Sequence, residues 1–219
     1  MLSYPRGEWF QNFLLIINGT MLIPQLEQVQ GFFWKGDFDT YFFGHQFEEI
    51  FKSRIYKPYL EDKKDQVVVD LGANVGLFTL YASKYAKHVY SIEPSLETFT
   101  CLQDMITFNK IKNVTPIQKA IYIENGVFPF GGPTNNKTMR SLHMATWQDG
   151  KPSENVEAIT FEKLFEDHNI DHVDLLKADI EGSEIELFSS PSFSKVASRI
   201  DIIVGESHNW SGRHPNQLR

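Results

Sequence analysis

A chain of 219 residues, 42% hydrophobic and 14% aromatic, can bury one sizeable core and is the length of a single α/β domain. Its formal charge of −7 and pI near 5.5 argue against a broad electrostatic footprint for nucleic acid or anionic lipid and leave neutral or small substrates. A single cysteine, Cys101, excludes an intrachain disulfide and fits a reducing compartment, so a cytoplasmic protein is expected.

Residues 1 to 65 are rich in aromatic residues, among them Trp9, Phe32, Trp34 and Phe42, with glycine and proline punctuation. The pattern predicts several short helices that cover the rest of the chain as an N-terminal extension, without a sheet of their own. FLLII, Phe13 to Ile17, is too short to span a bilayer and lacks a preceding basic stretch, so it is read as one apolar helix face. The glycosylation-like tripeptides at Asn18, Asn113, Asn136 and Asn209 recur by chance at this length and carry no weight.

From residue 66 onward, short β-branched runs alternate with helical stretches. Strands are predicted at Val67–Leu71, His88–Ile92, Val114–Ile117, Val173–Ala178 and Ile200–Gly205. Helices are predicted near Val75–Ala86, Leu96–Asn109, Phe161–His168 and Ser183–Ser189, with Ser95 and Thr160 as N-caps and Cys101 as a buried helical thiol. This alternation predicts an α/β fold, a doubly wound, mostly parallel Rossmann-like sheet, with residues 66–219 as its domain. Tyr122 to Asn155 breaks the alternation. Its GGP at Gly131 and the strand-like Ser141–Thr146 predict a hairpin or loop at the sheet edge.

The first strand runs into a glycine turn, VVVDLGANVGLFTLYAS, Val67 to Ser83, at the carboxyl end where open parallel sheets bind ligands. It departs from the dinucleotide pattern G-x-G-x-x-G, because Asn74 holds the middle position and Asp70 precedes the turn. Asparagine tolerates a left-handed backbone, so the turn still closes. A carboxylate there disfavours a pyrophosphate and favours a ligand with ammonium or sulfonium charge, as S-adenosylmethionine has. Glu93 ends the next strand roughly 20 residues on, the spacing at which an acid accepts from ribose hydroxyls. NAD would use Glu93 equally, so an NAD-binding Rossmann oxidoreductase is the first alternative. Simple turn capping and helix packing explain either glycine alone, but not the conjunction with two acids.

VDLLKADIEGSEIELF, Val173 to Phe188, repeats the strand–acid–glycine–helix logic and brings Asp179 and Glu181 to a neighbouring strand end. IDIIVGESHN adds Glu206, His208 and Asn209 to the same rim. Together these tips predict a polar crevice.

In these segments the sequence closely resembles the FkbM-type S-adenosylmethionine-dependent methyltransferases. The resemblance rests on DLGANVG, the SIEPS around Glu93, NVTPIQKAI, KADIEGSE and IIVGESHNW, across residues 66 to about 210. It implies a class I methyltransferase fold, with Asp70, Gly72, Asn74 and Gly76 at the methionine and ribose side of the cofactor. It places Glu93 on the ribose hydroxyls, Pro94 and Ser95 near the adenine, and Ala120 beyond. Lys119 stands where related enzymes often carry an acid or amide. The resemblance implies two strands beyond the helix that HPNQLR would open. The expectation is therefore a chain cut from a longer methyltransferase, or an exposed sheet edge protected by the N-terminal region or by a second copy.

Members of that family typically methylate oxygen, often on sugars or natural products. An alcohol acceptor needs a base. Asp179 is the first candidate, Glu181 the second, and His208 the third because its ordinary pKa lies near neutrality. Alternatively, Glu181 and Glu184 only complement a helix N-terminus, and His208 is a hydrogen-bonded rim residue. Asp179, Glu206 and Asn209 offer oxygens to magnesium, although their spacing does not show convergence. Arg140 to His143 are expected to line or cover the acceptor pocket. The expected partner is a small-molecule or carbohydrate-like acceptor, with no nucleic acid and no membrane span. A non-catalytic S-adenosylmethionine-binding module is the remaining alternative.

Overall fold

The computed structural model describes residues 15–17, 20–22, 33–35, 40–132, 140–142 and 151–206. The chain opens with three short strands, β1 (Leu15–Ile17), β2 (Thr20–Leu22) and β3 (Phe33–Lys35), paired antiparallel in that order. Leu15–Ile17 is thus a strand, where the apolar run predicted a helical face, and the N-terminal region carries a small sheet of its own where none was expected. The reason is legible afterwards: Ile17 pairs with Thr20, and the two residues between them are Asn-Gly, the strongest short hairpin signal. Helices follow at α1 (Thr40–Phe47), a wide π-helical turn at Glu48–Lys52, and α2 (Lys57–Leu60), as expected of the extension.

The core alternates from there on: β4 (Val67–Leu71), α3 (Leu77–Ala82), β5 (His88–Ile92), α4 (Leu96–Phe108) and β6 (Val114–Ile117). β7 (Ala120–Ile121), β8 (Gly126–Gly132) and β9 (Lys151–Ile159) form a separate small sheet. The alternation resumes with α5 (Phe161–Asp167), β10 (Val173–Ala178), α6 (Glu184–Phe188), α7 (Pro191–Val196) and β11 (Ile200–Gly205). The main sheet is wholly parallel, in the order β11-β10-β4-β5-β6. All five predicted strands match to the residue. The strand order reverses between β4 and β10, which makes their tips the switch point where such sheets bind ligands.

Helices cover both faces of the sheet, so its central strands are buried on both sides. Val68, Val89 and Leu175 pack under α3 and α4 together with Ile50, Phe51 and Leu60 from the N-terminal region. Val69, Leu71, Ile92 and Leu176 pack under α5, α6 and α7 through Phe161, Leu164, Leu187 and Val196. The predicted edge insertion is the β8–β9 hairpin, with a register shift between Phe130 and Gly131. Ser141 bridges to Gly131, while 143–146 lie outside the described residues. β11 is the edge strand of the main sheet among the described residues and exposes Ile203.

Candidate functional site

β4 delivers the glycine turn to the switch point, and its geometry explains its residues. Gly72 has φ +74, and a Cβ there would stand 1.9 Å from the Asp179 carbonyl oxygen, so the two strand tips meet backbone to backbone. Gly76 caps α3 with φ +93, and a Cβ would strike Met105 and Leu102 of α4 at 2.3 and 2.6 Å. Its role is helix packing, and it does not line the cavity described below. Asn74 takes the left-handed conformation at φ 53, as its side chain permits. The amides of Gly72 and Ala73 both donate to the Ile92 carbonyl, at 3.0 and 2.9 Å, which ties the turn to β5.

Glu93, one residue past β5, is buried and holds three donors: Asn74 N at 2.8 Å, Ser95 N at 3.0 Å and Thr98 Oγ1 at 2.7 Å. Glu93 therefore closes the start of α4. Ser95 occupies the N-cap position without a side-chain capping bond, and its hydroxyl lies 3.3 Å from Arg140 instead. Thr160 does cap α5, accepting from Lys163 N. A carboxylate offers roughly four acceptor positions, so Glu93 keeps capacity toward the cavity. Burial pushes its carboxyl above the ordinary range, and the bonds from Thr98, Ser95 and Asn74 work against that.

A solvent-open cavity lies over these tips. Of the sequence-predicted residues, Gly72, Asn74, Glu93, Pro94, Ser95, Ala120, Asp179 and Glu181 line it. Arg140, Ser141 and Leu142, from the segment expected to line the acceptor pocket, line it as well, together with Lys119 and with Gln46 of α1 as the contribution from the N-terminal region. Lys119 pairs with Glu157, and Arg140 lies 3.3 Å from Glu97 and 3.6 Å from Glu154, so neighbouring acids meet both cations.

Asp70 is placed differently from its neighbours in the motif. It is fully buried behind the turn and does not line the cavity. One carboxylate oxygen accepts from Thr79 at 2.7 Å, and the other lies 3.4 Å from the ammonium of Lys177. Thr79 in turn meets Ser91 at 2.8 Å. Lys177, Asp70 and Ser91 are register partners on adjacent strands, so their side chains form one polar row on the α3 face of the sheet. Burial pushes the Asp70 carboxyl up, and Lys177 opposes this. Burial also works against the Lys177 ammonium, but Asp70, Asp179 and Tyr56 together outweigh it and hold its pKa above the ordinary lysine range.

Lys177 and Tyr56 are the residues sequence reading missed. A lysine inside the strand VDLLKA was the available signal, because such a residue is buried only when paired. For Tyr56 there was none; it packs edge-on to Phe78, and burial pushes its hydroxyl up to about 12 in the field of Lys177, Asp179 and Asp70.

At the tip of β10, Asp179 is partly exposed and lies 3.8 Å from Lys177, with its amide donating to Leu71 at 3.1 Å. The next turn carries Glu181 at φ 57 and Gly182 at φ 112. Glu184 holds that turn, accepting from Ile180 N at 3.2 Å and Gly182 N at 3.0 Å, which is the helix-start role considered for it. Glu206 sits exposed at the tip of β11, outside the cavity lining. His208 and Asn209 lie outside the described residues, and with them the magnesium set. Among the described residues the group spaced for a metal ion is His172, Asp174 and Asp201, at the opposite, amino-terminal ends of β10 and β11. Two of its carboxylate oxygens are already engaged, Asp201 by His172 at 3.0 Å and Asp174 by Val67 N at 2.7 Å.

A doubly wound parallel sheet with a glycine turn at its switch point and an acid ending the neighbouring strand defines a Rossmann-like nucleotide-cofactor domain, and with Asp70 turned away from the cavity it is the family match that selects among its chemistries. The chain belongs to the Methyltransferase FkbM domain family, which it matches over residues 70–217. Over 56 residues it is 41% identical to the tRNA(Phe) (4-demethylwyosine(37)-C(7)) aminocarboxypropyltransferase of Methanocaldococcus jannaschii, a match covering 25% of this chain and 22% of that one. The chain thus spans less than a quarter of that relative. Among solved structures it is similar to Trm5b from Pyrococcus abyssi, with TM-score 0.47 and 15% identity over 91% of this chain and 45% of that one. It is also similar to methyltransferase FkbM from Methylobacillus flagellatus KT, with TM-score 0.36 and 18% identity over 55% and 27% of the two chains. The cofactor of the domain is S-adenosylmethionine. Its own residues fit that cofactor: the cavity over the Gly72 turn is lined by two acids, Glu93 and Asp179. No helix among the described residues is long and apolar enough to cross a membrane.

Proposed function

We propose that the enzyme methylates a hydroxyl oxygen on a small or glycan-like acceptor in the cytoplasm, with residues 66–219 as the catalytic domain and 1–65 as its covering extension. The observation that carries this is the position of Asp179, an acid that lines the cavity while its backbone touches the Gly72 turn. When bound, S-adenosylmethionine supplies an electrophilic methyl carbon for in-line displacement. Gly72 and Asn74 shape the floor beneath its methionine and ribose portions. Glu93 accepts from ribose hydroxyls with its remaining lone pairs, and Pro94, Ser95 and Ala120 flank the adenine. Asp70 and Gly76 act from behind, as supports of the turn.

Asp179 takes the proton of the acceptor hydroxyl as that oxygen attacks, and Glu181 stands next to it on the same rim. His208 is the third candidate base. Alignment of acceptor oxygen and methyl carbon is the larger part of the catalysis. The acidic net charge favours a neutral acceptor over nucleic acid.

The test has two stages. Calorimetric titration with S-adenosylhomocysteine and with NAD should show binding of the first alone. Labelled S-adenosylmethionine should then be offered to hydroxylated small molecules, oligosaccharides and transcribed tRNA. Label in an alkali-stable ether on a small acceptor is the expected result. Label in tRNA alone would overturn the acceptor class, and binding without transfer to any of them would favour a non-catalytic module.

A further inference from the structure

The polar row beneath the cofactor turn contains one cation, and its contacts reach further than burial alone requires. Lys177 is 6% exposed. Its ammonium donates to the Gly72 carbonyl at 3.1 Å and lies 3.4 Å from Asp70 and 3.8 Å from Asp179. Lys177 is the register partner of Asp70, and Asp179 follows just past the end of β10, with its carboxylate near the same ammonium. The acceptor of the ammonium and its two ion-pair partners thus belong to three different parts of the site: the turn itself, the strand behind it and the candidate base.

We propose that Lys177 is a positioning residue for cofactor binding and methyl transfer: its ammonium clamps the Gly72 turn of β4 to the tip of β10 and thereby sets where the Asp179 carboxylate stands over the cavity. The inference rests on the methyltransferase reading of the cavity. The alternative is a lysine that only neutralises Asp70 inside the core. The two differ in what happens when the buried charges are removed together. A neutralising role needs no lysine once Asp70 is an amide, whereas the clamp on Gly72 and Asp179 is lost regardless of Asp70.

The experiment compares wild-type protein with Lys177→Met and the doubly neutral Asp70→Asn/Lys177→Met. Each is assayed by thermal melting and by calorimetric titration with S-adenosylhomocysteine. The single variant should melt lower, because it leaves the Asp70 carboxylate buried without its cation. The double variant should regain much of that melting temperature and still bind about tenfold or more weakly, the loss expected for a charged hydrogen bond. A folded double variant that binds within about twofold of wild type overturns the positioning role and leaves neutralisation. A second measurement uses wild-type protein alone: the ¹⁵N resonance of the Lys177 ammonium should be protected from exchange and shift on addition of S-adenosylhomocysteine. If the double variant does not fold, this measurement decides, and a resonance that ignores the ligand overturns the proposal. Failure of wild-type protein to bind S-adenosylhomocysteine would instead count against the cofactor reading itself.

Discussion

Gly72 and Asp179 touch through their backbones, with the place of a Gly72 Cβ only 1.9 Å from the Asp179 carbonyl oxygen. Neither strand tip can move away cheaply, since Asp179 N donates to Leu71 O at 3.1 Å and Lys177 donates to Gly72 O at 3.1 Å. Gly72→Ala therefore adds both a clash and a left-handed alanine. It should lower stability by roughly 2–4 kcal/mol and abolish S-adenosylhomocysteine binding in the folded fraction. Chemical denaturation together with calorimetry checks this. A variant with wild-type affinity would show that the turn is not the cofactor floor.

Asp70→Asn should act mainly on folding. The carboxylate is fully buried and faces Lys177 and Thr79, away from the cavity. Removing its charge leaves a buried ammonium short of its nearest carboxylate, a loss of about 3–5 kcal/mol for pairs of this kind. Affinity measured well below the melting transition should fall less than in Gly72→Ala. Complete loss of binding with unchanged melting temperature would mean that Asp70 meets the cofactor directly.

The parallel sheet was legible because its strands read as short runs rich in β-branched residues, and all five, from Val67–Leu71 to Ile200–Gly205, match their predicted bounds. The cavity lining was legible where the motif residue itself faces the ligand space, as with Gly72, Asn74 and Glu93. It was not legible where side-chain direction decides. Asp70 and Leu71 are adjacent in sequence, but strand alternation sends Asp70 under α3 toward Lys177 and Thr79, contacts separated by 107 and 9 positions that no local spacing reveals. The N-terminal strands were lost for another reason. Taken as an apolar run alone, Leu15–Ile17 reads as a helix face, and only the Asn-Gly that follows it marks a hairpin.

Glu93 binds Asn74 N, Ser95 N and Thr98 Oγ1 at 2.7–3.0 Å, so it shapes the turn and the α4 start as well as facing the cavity. Glu93→Gln keeps the size but offers one acceptor oxygen where the carboxylate offered two. Affinity for S-adenosylhomocysteine should fall about tenfold or more, with a smaller loss in Thr98→Val, which removes one donor to the carboxylate. Equal losses in the two variants would point to a shared structural effect in place of a ribose contact.

Cys101 is buried on α4, and burial pushes its thiol from an ordinary 9.0 up to about 11. At pH 8 only about one part in a thousand would be thiolate, so iodoacetamide should label the native protein far more slowly than the unfolded chain. The sign of the linkage follows from the raised value. The folded state holds this proton more tightly, so the contribution to stability is complete below pH 9 and is lost as pH rises through about 11. Denaturation curves across that window should decline more steeply for wild type than for Cys101→Ala, and parallel curves would contradict the assignment.

Asp179→Asn tests the proposed base directly. The substitution keeps the side-chain shape and removes the charge that would accept the acceptor's proton, while the backbone contact with Gly72 persists. S-adenosylhomocysteine affinity should stay within about threefold of wild type, and kcat for a hydroxyl acceptor found in the labelled screen should fall by about 10²-fold or more. Glu181→Gln, one turn position further on, should cost much less if Asp179 is the base. The reverse order would transfer the role to Glu181. Full turnover in both variants would leave the proton to another group at the rim, and His208 is then the residue to replace.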